Sequence, residues 1–528
     1  MRFILFILFI LFGFSAVDLC AQFSQPARWE QEQNPSDDPY SVVSLKEEGI
    51  ALIRQKDKYQ NGNQLWDLVI VDTALNQKWA TELEMKPEFQ FTGYEYVREK
   101  VNLMFRRGGS DILDTEIFHI DLETKNIQHF KTEINLQIRL THYTVVDGNC
   151  VFGGYVGKEP VLVIYDPIKN NNIIVPGFFL TDTELLDVRP NKNNTFNILL
   201  SQRTQGRKKI IFRSFDKMGN ILVEDEIPIE EEKVILSGAS SILEHDEVLI
   251  AGAYGYNNSK QASGIFSCQV DPFSEQTMRF TEFHQLRHFF DYMSDKKSDK
   301  VREKAIQRTA YGRIPEYRTN VGIHRIEEFK GGFAVFGESY TLSSQSSNSN
   351  PNPYFNPYYN PTSRAYGYPN MYPPFNNRYY NNPYLYAPTS TFQELRIQQG
   401  FVIGYDFKGR RIWDYSIPMN DFKVAGRDQV SDFLIYQDVP HFMYKSGNEV
   451  KFSNHSADTL QITEPLSIPI KVNDVFEEAN ESNEGEGNVR HWYANYFYVW
   501  GNQTVKDTKR RSSNHSRRVF FINKIRID

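Results

Sequence analysis

The sequence has few cysteines, no excess of positive charge and, beyond its first residues, no long apolar run. Of three cysteines in 528 residues, only Cys150 and Cys268 lie outside the N-terminal segment. Two cysteines in so long a chain are not a disulfide framework, so we interpret both as small buried apolar residues; a Cys150–Cys268 bridge is the alternative. The net charge of −7 argues against a nucleic-acid-binding protein, because such proteins neutralise phosphates with Lys and Arg. No later segment has the length and apolarity of a membrane helix, so an integral membrane protein is not expected.

Motifs for common catalytic chemistry are also missing. The chain contains no Gly-x-Ser-x-Gly elbow, no phosphate-binding or dinucleotide-binding glycine loop and no Cys-x-x-Cys pair. These absences favour a protein that is not an enzyme, and no cofactor is expected. A glycosidase with two paired carboxylates stays open, because its acids need not be adjacent in sequence.

The N-terminal residues have the features of a signal peptide. Arg2 provides a short positive region, the stretch from Phe3 to Val17 is almost entirely apolar, and Ala21 is a small residue suited to cleavage. Residues 1–21 are therefore predicted to be removed, leaving an exported protein that is periplasmic or extracellular. A lipid anchor on Cys20 is the less favoured alternative, because Leu19 stands where bacterial lipoproteins have a small residue.

One phrase recurs along the chain: an apolar or aromatic run ends in Asp and is followed by a turn and a second strand. Aromatic residues make up 14% of the sequence, which favours strands. An Asp or Asn side chain at a strand end bonds the backbone two residues on and starts a reversal, while Gly219 and Gly409 offer positive φ. We therefore interpret the repeated acids as turn residues and not as catalytic groups or metal ligands. They are Asp72, Asp121, Asp166, Asp216, Asp271 and Asp406, with weaker copies at Asn454 and Asn523.

The spacing of this phrase resembles that of β-propeller blades. Most intervals are 45 to 55 residues, two further strands precede the phrase, and the strand after it carries Trp79 or Trp413 in two of the units. The resemblance is to the architecture, since neither the WD40 nor the kelch signature is present. It implies an all-β protein with a single propeller over residues 22–528, built from seven or eight four-stranded blades, of which eight is favoured.

The last repeat lacks its fourth strand, and the N-terminal segment offers a replacement. Pro26–Gln31, around Trp29, resembles Gln77–Glu82, around Trp79. Pairing of this segment with the C-terminal strand would close the ring and leave no exposed edge.

Propeller topology predicts a loop-rich face. Connections from the fourth strand to the next blade's first strand, and from the second strand to the third, emerge on the same side. Four irregular segments occupy such positions: 272–320, 341–391, the acidic stretch 477–486 and the basic stretch 506–518. We expect any binding there, and we expect the acidic and basic stretches to offset each other.

The first of these segments is predicted to contain a helical insertion at 275–318. Phe283, Leu286, Phe290 and Met293 recur at spacings of three and four, which predicts a helix over Phe283–Gln307. On such a helix His284, His288 and Asp291 would share a side, so they are a candidate metal site. An ordinary solvated helix face is the alternative interpretation.

The second segment, 341–391, is rich in Asn, Pro, Tyr and Ser and is predicted to be a disordered loop. Its tyrosines are candidates for contact with a protein or a glycan, the alternative being a loop without function. The candidates are Tyr354, Tyr358, Tyr359, Tyr379 and Tyr380. The favoured function is a non-enzymatic extracytoplasmic scaffold that binds a protein through the loop-rich face. The alternative is a glycan-binding or carbohydrate-active propeller with its site in the central pocket of that face.

Overall fold

The structure is a computed structural model. It describes residues 23–34, 38–108, 112–178, 180–204, 206–243, 247–256, 259, 261–271, 276–342, 395–424, 429–455, 464–474, 476–480, 487–507 and 516–528. The candidate tyrosines between 354 and 380 and the predicted signal peptide lie outside these residues.

The described residues form eight antiparallel sheets, and the chain is an all-β protein of the eight-bladed β-propeller class. This confirms the prediction of eight blades over seven. In each sheet, strands that are consecutive in the chain are neighbours, which is the pattern of a four-stranded blade. The first strand is interrupted in two of the sheets, and its two pieces pair with the same second strand.

The chain divides into two compact units, Met1–Lys86 with Val430–Asp528, and Pro87–Gln429. The first unit holds three sheets. Their strands are β1 (Phe23–Glu32), β2 (Ser41–Ser44), β3 (Ile50–Gln60), β4 (Asn63–Val71), β5 (Gln77–Met85), β27 (Ser431–Tyr436), β28 (Val439–Ser446), β29 (Glu449–Asn454), β30 (Leu466–Pro469), β31 (Glu477–Asn480), β32 (Asn488–Tyr493), β33 (Tyr496–Asp507) and β34 (Ser516–Ile527).

The second unit holds five sheets and the α-helix of the described residues, α1 (Asp295–Ala310). Its strands are β6 (Phe89–Val97), β7 (Lys100–Arg107), β8 (Ile112–Asp121), β9 (Ile127–Gln137), β10 (Arg139–Val146), β11 (Asn149–Val156), β12 (Glu159–Asp166), β13 (Asn171–Ile174), β14 (Thr183–Pro190), β15 (Thr195–Thr204), β16 (Arg207–Asp216), β17 (Ile221–Ile229), β18 (Lys233–Ile235), β19 (Ala239–Ser240), β20 (Val248–Tyr256), β21 (Gly264–Val270), β22 (Arg279–Glu282), β23 (Asn320–Phe329), β24 (Gly332–Leu342), β25 (Leu395–Tyr405) and β26 (Arg411–Val424).

Five of the six repeated aspartates start the turns between third and fourth strands, as predicted; the turn after Asp271 lies outside the described residues. Oδ1 of Asp406 accepts hydrogen bonds from the backbone N–H groups of Lys408 at 3.0 Å and Arg410 at 2.8 Å. Gly409 has φ +69°, a left-handed conformation that glycine adopts without strain. The same carboxylate-to-backbone pattern recurs at Asp72, Asp121, Asp166 and Asp216.

Two predictions about these repeats are wrong. Asn523 does not end a strand: it lies within β34, is buried, and its side-chain amide donates to the Lys471 carbonyl and the Gln25 side chain. The acidic stretch 477–486 is not wholly a connection, because Glu477–Asn480 is strand β31, paired with the far end of β33. In both cases backbone pairing continues through polar residues that resemble loop sequence.

The N-terminal strand completes the last sheet, as predicted. β1 pairs with β34 in antiparallel register, with Trp29 opposite Ile522. In this unit one core cluster joins Trp29 to Tyr40, Trp492 and Phe520. Burial of these large aromatic side chains stabilises the closure of the sheet by the N-terminal strand.

The predicted helix over Phe283–Gln307 is wrong in its first half. Phe283–Gln285 is a single 3₁₀ turn, and α1 begins only at Asp295, after Ser294 as N-cap. The apolar residues that suggested a helix lie in a compact turn, where Phe283, Leu286 and Phe290 are buried in a core cluster between strands. No helix among the described ranges is long and apolar enough to cross a membrane.

Candidate functional site

The connection from β22 to β23, residues 283–319, is called the insert below. It leaves β22 at Glu282 and reaches β23 at Asn320, which pairs with Tyr340 near the end of β24. Leu342 in turn pairs with Leu395 at the start of β25. The insert and the two chain ends that flank residues 343–394 are therefore at the same end of this sheet, as the strand order predicted.

Buried aromatic side chains hold the base of the insert. Phe283 and Phe289 stack with ring centroids 3.9 Å apart, and Phe289 also meets Phe401 of β25 at 5.6 Å. The side-chain amide of Gln399 donates to the Phe289 carbonyl. The base is therefore packed on its sheet by both apolar and polar contacts.

His288 and Asp291, two of the predicted metal ligands, contact each other within this base. Nδ1 of His288 lies 2.8 Å from Oδ2 of Asp291. The backbone N–H of His288 donates to Asp414 of β26 at 2.7 Å, and the His288 carbonyl accepts from Ser416 at 2.8 Å. Burial raises the pKa of Asp291, and the hydrogen bond from His288 opposes that shift. The contacts of the His288 backbone with Asp414 and Ser416 fasten the insert to β26.

His284, the third predicted ligand, belongs to a different cluster. Its Nδ1 lies 2.8 Å from the Tyr317 hydroxyl and 3.1 Å from Oε2 of Glu282. The Tyr256 hydroxyl donates to Oε1 of the same Glu282 at 2.8 Å. The structure thus separates His284 from the His288–Asp291 pair. In the part of the chain that the structure describes, no three His, Cys, Asp or Glu side chains are grouped to hold a metal ion.

Arg302 fixes α1 to the base. Its guanidinium donates to the backbone carbonyls of His284 at 2.8 Å, Leu286 at 2.7 Å and Arg287 at 2.7 Å, and lies over the Phe290 ring at 5.1 Å. Five donors in a planar fork suit an arginine to this multiple contact. One side of α1 is therefore fastened to the base, and Ala305 is buried on that side.

The rest of α1 is exposed. Ile306 is 56% exposed and Tyr311, just past the helix, is 80% exposed. Residues 295–318 carry eight Lys or Arg and four Asp or Glu, so this segment is positive in a chain whose net charge is −7. The exposed part of residues 295–313, with Ile306 and Tyr311 among basic side chains, is called the insert surface below.

A groove of about 410 Å³ lies in the other unit, and sequence reasoning missed it. It lies between residues 31–34, where β1 ends, and residues 54–58 in the second half of β3. Every side chain in its lining has a polar or charged end: Gln31, Glu32, Asn34, Arg54, Lys56, Asp57 and Lys58.

A β-bulge shapes this groove. Opposite β4, Gln55 pairs with Trp66 but Tyr59 pairs with Gln64, so β3 has extra residues between them. The buried Gln64 amide takes the place of the missing ladder bonds by donating to the carbonyls of Lys56 and Lys58. A bulge changes the direction in which the side chains of a strand point. The residues of this bulge line the groove.

Two cations of the groove are held in place by acids. Arg54 donates to Asp67 at 3.0 Å and lies over the Tyr40 ring at 4.4 Å. Lys56 lies 3.1 Å from Asp67 and 2.5 Å from Glu82. The hydrogen bond to Glu82, together with that to Asp67, raises the pKa of Lys56 despite the opposing effect of burial.

Cys150 and Cys268 are free and buried, so the interpretation of both as small core residues is confirmed and the bridge is not formed. Burial raises the pKa of each thiol to about 12. Neither is therefore a thiolate at neutral pH.

No family model matches the chain, and no curated protein matches it. Solved structures to which it is similar include prolyl oligopeptidase B from Galerina marginata, at 10% identity and TM-score 0.33, with 57% of this chain and 38% of that chain covered. The chain thus spans well under half the length of that peptidase. The β-propeller domain of the Trilobed protease from Pyrococcus furiosus is 8% identical, with TM-score 0.33 and coverage of 83% and 93%. The polysaccharide lyase Uly1 is 9% identical, with TM-score 0.38 and coverage of 93% and 99%. Likeness at this level gives no information on activity or partners.

Proposed function

We propose that this protein is a non-enzymatic, extracytoplasmic scaffold that binds a protein partner, and that the insert surface makes the contact. One observation carries the proposal. The insert is fastened by its base, through Arg302 and Asp414, while Ile306 on α1 and Tyr311 just past it are exposed. A surface that is held rigid before binding loses little conformational entropy when a partner docks.

The chemistry of the insert supports binding over catalysis. His284, His288 and Asp291 each contact groups of the protein itself, and the backbone of His288 is bonded to β26. These side chains therefore help to hold the insert in its conformation. Ile306 and Tyr311, in contrast, offer apolar area among cations, the composition expected where an acidic protein surface docks.

Affinity capture from a cell-envelope extract tests the proposal. The intact tagged chain is expected to retain a specific partner, which Ile306→Glu combined with Tyr311→Ala should release. Ile168→Glu is the matched control, because Ile168 is 86% exposed in the β12–β13 turn. A partner retained equally by all three chains would contradict the proposed contact. A chain lacking residues 343–389 tests the tyrosine-rich segment in parallel, and loss of the partner there would move the contact to that segment.

A further inference from the structure

The polar groove of the first unit has the construction of a ligand site separate from the insert surface. At about 410 Å³ it is within the roughly 300–1,000 Å³ usual for small-molecule sites. Its two sides are tied together, because the Tyr40 hydroxyl donates to Oε1 of Gln31 at 2.8 Å while the Tyr40 ring lies under Arg54. Gln31 on one side of the groove and Arg54 on the other are therefore held by the same tyrosine.

The charges of the lining indicate what class of ligand fits. Arg54, Lys56 and Lys58 are cationic, Glu32 and Asp57 are anionic, and the charges of Arg54 and Lys56 are already offset by Asp67 and Glu82. An anionic ligand would meet Glu32 and Asp57, and a cationic ligand would meet the three basic groups. No lining side chain is apolar, so an apolar ligand would leave polar groups unpaired.

A neutral, hydroxyl-rich ligand can form hydrogen bonds with both the cationic and the anionic groups of this lining. Sugar hydroxyls accept hydrogen bonds from ammonium, guanidinium and amide N–H groups and donate to carboxylates. Asp57 and Lys58 lie next to each other in the bulge, are exposed, and have no ion-pair partner among the described residues, so both are available for such bonds. We infer that this groove binds a neutral oligosaccharide, with Asp57 and Lys58 supplying the principal hydrogen bonds.

Calorimetric titration of the full chain tests the inference. The probes are maltohexaose, cellohexaose, xylohexaose, mannohexaose and fully N-acetylated chitohexaose, with oligogalacturonate as the anionic comparison. At least one neutral probe should bind, and Asp57→Asn with Lys58→Met should weaken it about tenfold or more, because hydrogen bonds to charged groups are lost. Lys158→Met is the matched control, because Lys158 is an exposed lysine in the corresponding hairpin between β11 and β12.

Three results of this titration would overturn the inference. They are absence of binding to every neutral probe, binding that the double variant leaves unchanged, and a preference for oligogalacturonate. Equal melting temperatures of the variants and the intact chain verify that the fold is retained. Ile306→Glu should leave saccharide binding unchanged, so this result and the outcome for the insert surface are independent.

Discussion

At the residue scale, the repeated aspartates act through local geometry, and this is why sequence predicted them. A carboxylate that bonds N–H groups two and four residues on needs nothing from distant parts of the chain, so its role is visible in the phrase itself. Asn523 shows where prediction from the local sequence fails. The same phrase precedes it, yet its amide serves Gln25 and Lys471, which are remote in sequence.

Replacing Asp406 by Ala removes the acceptor for the N–H groups of Lys408 and Arg410. The free energy of unfolding is expected to fall by about 1–2 kcal/mol. Asp406→Asn keeps Oδ1 and should cost less. Urea denaturation of the three proteins measures both changes, and an Ala variant as stable as the Asn variant would show that the side chain does not hold the turn.

Glu30 gives the closure a dependence on pH. Burial alone would raise its pKa, but hydrogen bonds from Arg28 and Arg517 lower the pKa below its ordinary value of 4.5. Arg517 also contacts Glu477 at 2.7 Å, so acidic and basic stretches do offset each other here. A lowered folded-state pKa adds stability that is present above pH 4.5 and is lost as pH falls through the lowered value.

Glu30→Gln weakens the charge-assisted hydrogen bonds from Arg28 and Arg517 and should therefore lower the free energy of unfolding at pH 7 by on the order of 2 kcal/mol. The difference from the intact protein should shrink as pH falls below 4.5. Denaturant unfolding at several pH values measures this, with exposed Glu123→Gln as the control. A difference independent of pH would rule out the ionised carboxylate as its source.

At the element scale, strand order was predictable and the insert was not. Turn residues and alternating apolar runs mark each strand. The N-terminal strand was recognised because the residues around Trp29 resemble those around Trp79. This resemblance exists because the N-terminal strand takes the place of the fourth strand in the last repeat. The helix was misplaced because spacings of three and four also occur in the compact turn that buries Phe283 and Phe290. Ser294 before Asp295 was the available signal for the true helix start.

Arg302 is expected to hold α1 on its base. Arg302→Met keeps much of the apolar stem but removes three bonds to backbone carbonyls. Hydrogen exchange should quicken over residues 295–310 while the exchange of the strands stays unchanged. Lys304→Met, an exposed neighbour on α1, should alter neither. Exchange in α1 that is equally slow in both variants would contradict the anchoring role.

At the scale of the whole molecule, the sheets repeat one plan, and the two proposed binding surfaces lie where that plan is interrupted. The insert follows a fourth strand, and the groove lies beside a second-to-third hairpin with a bulge. Sequence reasoning assigned both kinds of connection to the loop-rich face. The groove itself could not be predicted from the sequence. It lies between residues 31–34 and residues 54–58, and its shape depends on a bulge in β3 that only the pairing register reveals.

The central claim is that a protein partner docks on the insert surface. Its most direct test is hydrogen exchange of the full chain with and without the partner isolated by affinity capture. We expect slower exchange on binding over residues 295–313, where Ile306 and Tyr311 are exposed, and no such change in the Ile306→Glu, Tyr311→Ala chain. Protection confined to other segments, with α1 unchanged, would contradict the claim.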